Sequence, residues 1–320
     1  MSRVGIVIIG RNEGERLIRC IASAKLTSDQ VVYVDSGSVD ASVSSARELG
    51  AIVVELDCDM PFTAARARNF GWRELLRQKP DLEFVHFIDG DCEFHEGWVA
   101  KAVHFLCETE GSAVACGRRV ERFPEASVYN KLCNLEWDTP VGDALACGGD
   151  ALFRMSSLQD AGGYRDELIA GEEPELCLRL RGRGWKIRRM EDDMTWHDAA
   201  MLKFSQWWKR SQRCGFAFAI VSDLHRKDPQ RYWVAETRRA VFWGGLLPVV
   251  IVLMSIASPW FLLAFLVYLL QWLRLSRNGA GRGSAWAYFI VLGKLPEFLG
   301  VARYWWLRLT GRQMRLIEYK

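Results

Sequence analysis

Residues 84–91 read "FVHFIDGD": a short run suited to a buried strand ends in two carboxylates, Asp89 and Asp91, separated by one glycine. Three further runs of the same kind precede it, "VGIVIIG" at 4–10, "VVYVDS" at 31–36 and "AIVVEL" at 51–56. Helical patterns near 14–26, 39–49, 63–77 and 96–108 follow the four runs in turn. Strands alternating with helices of this length predict an α/β fold, a mostly parallel sheet flanked by helices on both faces. Open sheets of that class bind ligands at the carboxyl ends of their strands. The polar residues fall there: Arg11-Asn12-Glu13 after the first run, Asp35-Ser36-Gly37-Ser38 after the second, Asp89-Gly90-Asp91 after the fourth. From 114 to 195 the pattern is less regular, with a strand near 114–122, a helix near 127–137, a glycine-rich turn "CGGDALF", a helix over 174–183 and a strand near 186–190.

The 320 residues suffice for one large domain or two smaller ones. Forty-two basic against 39 acidic side chains leave a net charge of +3, too small an excess to signal nucleic acid as a partner. Nine cysteines, an odd number with no C-x-x-C pair, match the usage of a reducing compartment. The apolar run after Met1 is about six residues, too short for a signal peptide. Residues 1–200 are therefore expected to be cytosolic.

The C-terminal third differs in kind. Residues 240–273 carry no charged side chain, and a membrane helix needs about 20 apolar residues. Pro259 near the middle divides the run into two helices, roughly 240–257 and 260–275. Arg238 and Arg239 precede this hairpin and Arg274, Arg277 and Arg282 follow it, which puts both ends on the cytoplasmic side of the inner membrane. A third apolar stretch, 284–309, is interrupted by Lys294, Pro296, Glu297 and Arg303. Crossing there would carry Arg308, Arg312, Arg315 and Lys320 outside, so an interfacial or re-entrant segment over 278–320 is expected. The link 201–237 reads as an amphipathic helix on the bilayer surface, with Phe204, Trp207 and Trp208 toward lipid and Lys209, Arg210 and Arg213 toward phosphates.

Two carboxylates flanking one glycine can reach a single hard cation and its bound phosphates, as a magnesium or manganese site requires. Asp35, at the end of a strand, can accept hydrogen bonds from a nucleotide base or ribose, or cap the turn that follows. Glu172, Glu173 and Glu175 open the helix at "GEEPELCLRLRGRGW" (171–185). Pro174 suits its first position, Glu173 its cap, and Gly184 its end. Glutamate is a poor cap, which leaves Glu173 open to a chemical role.

The segments "IVIIGRNEGERLIRCIASA", "VVYVDSGSVDAS", "ARARNFGW", "FIDGDC", "CGGDALFRMSSLQDAGGY" and "GEEPELCLRLRGRGW" occur in the order and spacing of family 2 glycosyltransferases, and over residues 3–200 the chain resembles that family. The resemblance implies the Rossmann-like GT-A fold and a nucleotide-sugar donor. It makes Asp35 the acid near the base, with Arg11, Glu13, Arg68 and Asp89 on the donor side. It makes Asp91, with Asp89, the D-x-D metal site for Mg²⁺ or Mn²⁺, and His197 in "TWHDA" a further metal ligand. Gly148, Gly149 and Asp150 match the turn on the acceptor side. Glu172 and Glu173 match the family's acidic pair, whose second member is the general base of inverting transfer. Position 173 is glutamate where aspartate is usual, so Glu172 stands as the alternative base.

These readings converge on a membrane-anchored, metal-dependent, inverting glycosyltransferase acting on a lipid-linked acceptor at the cytosolic face, in exopolysaccharide, envelope polysaccharide or glycolipid synthesis. Polyprenyl phosphate is an alternative acceptor. A nucleotidyltransferase would share the sheet and acidic site but carry a glycine-rich basic loop after the first strand, where this chain has "GRNEGERL". A non-catalytic scaffold would not need Asp35, Asp89 and Asp91.

Overall fold

The computed structural model describes residues 3–57, 59–279 and 281–312, and divides the chain into two compact units, residues 1–126 with 136–200 and residues 127–135 with 201 onward. The strands of the first unit are β1 (Val4–Gly10), β2 (Val31–Asp35), β3 (Ile52–Glu55), β4 (Phe84–Asp89), β5 (Cys92–Phe94), β6 (Ser112–Glu121), β7 (Gly142–Asp143), β8 (Ala151–Arg154) and β9 (Lys186–His197). Its helices are α1 (Glu15–Lys25), α2 (Ser42–Glu48), α3 (Ala64–Gln78), α4 (Trp98–Glu108), α6 (Met155–Asp160) and α7 (Glu172–Gly182), and α5 (Val128–Trp137) runs from the second unit back into the first.

The sheet order is β3-β2-β1-β4-β8-β6-β9-β5, with β7 added to β9. β1 to β4 pair in parallel, and β8 runs antiparallel to both β4 and β6, so the sheet is mixed. The parallel half explains its own sequence. β1 and β2 lie between two helical layers, so Ile6, Val7, Ile8 and Val31–Val34 are wholly buried and neither strand alternates apolar with polar. α1 buries Leu17, Cys20, Ile21 and Ala24, the i, i+3, i+4, i+7 stripe of an amphipathic helix. α3 starts where Thr63 caps it, its side chain accepting from the Arg66 amide at 3.0 Å.

Two expectations change in this unit. The "CGGDALF" turn leads into β8, a central strand that runs antiparallel to both its neighbours, β4 and β6. The strand expected at 186–190 continues to His197, pairing with β6 through three irregularities in register.

The second unit comprises α8 (Phe204–Leu224), α9 (Val234–Val241), a π-helical turn (Phe242–Leu246), α10 (Leu247–Ala257), a 3₁₀ segment (Pro259–Phe265), α11 (Leu266–Asn278), α12 (Gly283–Leu292) and α13 (Lys294–Thr310). Among the described residues three helical runs are long and apolar enough to cross a membrane: Val234–Ala257, Pro259–Asn278 and Gly283–Thr310, of 24, 20 and 28 residues. The first two cover the segments 240–257 and 260–275 expected to form a hairpin. The third covers the stretch expected to be interfacial or re-entrant, and in it Lys294 Nζ pairs with Glu297 Oε2 at 2.7 Å. Arg315 and Lys320, part of the charge argument against a third crossing, lie outside the described residues.

α8 differs from the expected surface helix because α13 packs against it backbone to backbone. A Cβ on Gly215 would sit 1.9 Å from the Glu297 carbonyl oxygen, and one on Gly300 would sit 2.0 Å from that of Gln212. Small residues at such crossings let apolar helices approach closely without a hydrophobic driving force. Trp207, expected toward lipid, is instead buried, with its ring 4.9 Å from that of Phe289.

Candidate active site

The D-x-D turn lies between β4 and β5, and its two acids have different surroundings. Asp89 Oδ1 pairs with Arg68 Nη2 at 2.9 Å and Oδ2 with Arg119 Nη2 at 3.3 Å. Both oxygens of Asp89, expected as a second metal ligand, are therefore engaged by guanidinium groups. Asp91 is buried, and its Oδ2 lies 3.4 Å from His197 Nε2. The histidine reaches it because β9 extends to residue 197 and pairs with β5, setting His197 opposite Cys92.

His197 has the surroundings of a metal-binding imidazole. Its Nδ1 faces Glu121 Oε2 at 3.4 Å, and that glutamate is fixed by the amides of Ala199 at 3.1 Å and Phe123 at 3.2 Å. Burial pushes the His197 pKa down, opposed by the Glu121 contact, so the ring favours its neutral form. A carboxylate on one ring nitrogen orients the other toward a metal. Donor atoms of Asp91, Cys92 and His197 lie within 4.8 Å of one another, and this set fits a divalent cation.

One guanidinium ties this turn to the start of α7. Arg68, buried on α3, places Nη2 on Asp89 and Nη1 on Glu172 Oε1, each at 2.9 Å. Burial opposes its charge, but Asp89 and Glu172 outweigh that effect and its pKa lies above the ordinary arginine value. Behind it, Asp150 accepts from the Asp89 amide at 3.0 Å, from Arg119 at 2.8 Å and from Thr195 Oγ1 at 2.8 Å. Asp150 is fully buried, so it does not face an acceptor as expected; it holds the backbone of the D-x-D turn. Gly148 is exposed, and Gly149 must be small, because a Cβ there would lie 2.9 Å from Asp89 Oδ2 and within 3.1 Å of both guanidiniums.

α7 begins at Glu172, two residues earlier than Pro174 suggests, because Gly171 takes the left-handed cap conformation at φ 77°. Glu173 is thus inside the first turn and is not its cap. Its Oε1 accepts from the Cys147 amide at 2.6 Å and from Cys177 Sγ at 3.1 Å. Burial raises its pKa from the ordinary 4.5, with those hydrogen bonds opposing. Glu172 is committed to Arg68, whereas Glu175 is fully buried between Arg165 and Arg179. Of the three acids, Glu173 is the one whose described contacts include no arginine or lysine.

On the nucleotide side, Asp35 is saturated by its own turn: Tyr33 Oη donates to Oδ1 at 2.7 Å, and the amides of Gly37 and Ser38 donate to Oδ2 at 2.9 and 2.8 Å. Arg11 is exposed, with its guanidinium 5.8 Å from the Phe62 ring centre. Glu13 pairs with Arg16 at 2.8 Å and lies near the D-x-D turn, its Cγ 3.2 Å from where a Cβ on Gly90 would stand. Arg119 and Glu121, absent from the sequence reading, are the additional residues on which this arrangement depends.

Residues 5–159 match the family model for glycosyl transferase family 2. A glycosyltransferase of Haloferax volcanii, AglE, is 25% identical over 228 residues, 66% of this chain and 71% of that protein. The pre-mycofactocin glycosyltransferase of Mycobacterium tuberculosis is 26% identical over 289 residues, 82% of this chain, and the match spans 55% of that protein. Among solved structures, mannosyltransferase PcManGT from Pyrobaculum calidifontis in complex with GDP-Man and Mn²⁺ superposes with a TM-score of 0.57 at 17% identity, covering 95% of this chain and 87% of that one. Residues 1–349 of S. aureus TarS with UDP-GlcNAc superpose with a TM-score of 0.53 at 15% identity, covering 97% and 92%. At those identities the structural likenesses speak to the GT-A fold alone. Residues 5–159, a little under half of the chain, therefore form a glycosyl transferase family 2 domain.

Proposed function

We propose that this glycosyltransferase moves one sugar, with inversion, from a nucleotide diphosphate sugar to a hydroxyl of a lipid-linked acceptor at the cytoplasmic face of a membrane. The observation that carries the reading is the Arg68 clamp, 2.9 Å to Asp89 and 2.9 Å to Glu172. It fixes the N-terminus of α7, and with it Glu173, beside the turn that would receive the diphosphate. A divalent cation, Mg²⁺ or Mn²⁺, held by Asp91 and His197 would offset the charge of the leaving diphosphate.

The chain's own residues supply the rest. Glu173 accepts the proton of the acceptor hydroxyl as its oxygen bonds to the anomeric carbon and the bond from that carbon to the diphosphate breaks. Its raised pKa makes it a stronger base than an exposed glutamate, and its contacts with Cys147 and Cys177 hold the carboxylate in place. Asp35, held by its own turn, and the exposed Arg11 would lie on the side of the nucleotide base, and Arg68 and Arg119 hold Asp89 in place. The apolar helical runs support membrane attachment, which would concentrate the protein where a lipid acceptor lies. Incubating purified protein with nucleotide sugars, Mn²⁺ and a membrane lipid extract tests the reading: it predicts a labelled lipid product and a nucleoside diphosphate, and release of pyrophosphate would refute it.

A further inference from the structure

The start of α7 carries a second group of donor atoms outside the D-x-D site. Cys147 Sγ and Cys177 Sγ are 3.7 Å apart, and Cys177 Sγ is 3.1 Å from Glu173 Oε1. All three side chains are buried, and their donor atoms lie within 4.8 Å of one another. Two metal–sulfur bonds of 2.3 Å at a tetrahedral angle place their sulfurs about 3.8 Å apart, so the sulfur separation is that of a zinc site before any movement. The neighbouring thiol of Cys116 is directed elsewhere, to the Arg188 carbonyl oxygen at 3.4 Å.

We infer that Cys147, Cys177 and Glu173 form a binding site for a thiophilic divalent cation such as Zn²⁺, distinct from the Asp91–His197 site, and that filling it inhibits transfer. The donor sets differ: two sulfurs and one carboxylate favour zinc over magnesium or manganese, whereas the other group offers one sulfur, one imidazole and one carboxylate. Binding forms two sulfur–metal bonds and releases the two thiol protons to solvent. Burial holds both thiols above the ordinary cysteine range, with Cys177 raised to about 11, so without metal they are protonated and the cluster is neutral apart from Glu173. Metal bound here occupies the Glu173 carboxylate and removes it from proton transfer. That consequence rests on Glu173 as the base, whereas the binding does not.

The test uses the full chain in detergent with Mg²⁺ in excess, titrated with Co²⁺ as a spectroscopic probe. A thiolate-to-cobalt band in the near ultraviolet should saturate at one equivalent, vanish on adding Zn²⁺, and be missing in Cys147→Ser and Cys177→Ser. Glu173→Gln, which removes a direct ligand, should weaken binding by at least the roughly 10- to 100-fold that loss of an outer-shell partner costs. The band must persist in Asp91→Ala, which separates this site from the Asp91–Cys92–His197 group and does not disturb the α7 cluster. No band in the wild-type protein, an undiminished band in the Cys147→Ser/Cys177→Ser double variant, or loss of the band with Asp91→Ala would each overturn the site. One equivalent of Zn²⁺ should also suppress sugar transfer at saturating Mn²⁺. Stoichiometric binding without inhibition would overturn the role given to Glu173 and leave the metal site standing.

Discussion

The backbone amide of Cys147 donates to the Glu173 carboxylate at 2.6 Å, so the acid at the start of α7 is aimed by the loop that precedes β8 and not by its own helix cap. Removing its basicity while keeping its shape isolates that role. Glu173→Gln is expected to lower kcat by about 10²- to 10⁴-fold with little change in nucleotide-sugar affinity. Glu172→Gln should act through Arg68 and weaken donor binding more than it lowers kcat. Steady-state kinetics paired with donor binding by calorimetry distinguishes the two.

The pH dependence of the rate follows from the same residue. Burial puts the Glu173 pKa above 4.5, and a base works only when ionised, so kcat should rise with pH through an inflection above the ordinary glutamate value. A kcat–pH profile whose acid limb is lost in Glu173→Gln checks this.

Arg119 joins two acids across the sheet, 3.3 Å from Asp89 and 2.8 Å from the fully buried Asp150. Arg119→Met leaves Asp150 with a buried charge and no cation, a change that costs about 3–5 kcal/mol in comparable pairs. Denaturant unfolding should show that loss, whereas Arg119→Lys should recover part of it.

Gly149→Ala acts on geometry with no change of charge. The added methyl would stand 2.9 Å from Asp89 Oδ2 and 3.0 Å from Arg119 Nη2, forcing the D-x-D turn to shift. The expected result is a fall in kcat/KM on the order of 10²-fold with a thermal midpoint close to that of the wild type.

Much of this was legible before any coordinates. β1, β2 and β4 are almost wholly buried and apolar, because both their faces are covered, and each ends in polar residues of the site, whereas β3 is a half-buried edge strand. β8 was not legible: four residues, "ALFR", follow two glycines and an aspartate, and only pairing with β4 and β6 marks them as a strand. β9 was read short because its outer half is polar and partly exposed. The two acids of the D-x-D turn could be found from spacing, but their division of labour could not. Arg119 lies 30 residues from Asp89, and Glu121 lies 76 from His197, so no local pattern signals either contact. Pro174 misplaced the helix start because the left-handed conformation of Gly171 decides it instead.

His86 provides a pH test of the core. It is fully buried on β4 and its Nε2 accepts from Trp98 Nε1 at 2.9 Å, and burial pushes its pKa down from 6.5 to about 3. Its folded pKa lies below the unfolded one. The stability it contributes is therefore complete above pH 6.5 and is lost as pH falls toward 3. Denaturant midpoints measured across that range should fall with acidification, and less steeply in His86→Gln.

The central claim is metal-assisted sugar transfer with Asp91 at the cation and Glu173 as the base. Its most direct test is nucleoside diphosphate release from a nucleotide sugar, in the presence of Mn²⁺ and acceptor lipid, by wild-type protein and by Asp91→Ala and Glu173→Gln variants that keep the wild-type thermal midpoint. The account predicts release that depends on acceptor and on Mn²⁺ in the wild type, and loss of at least 10²-fold in each variant. Turnover unchanged in both variants would contradict it.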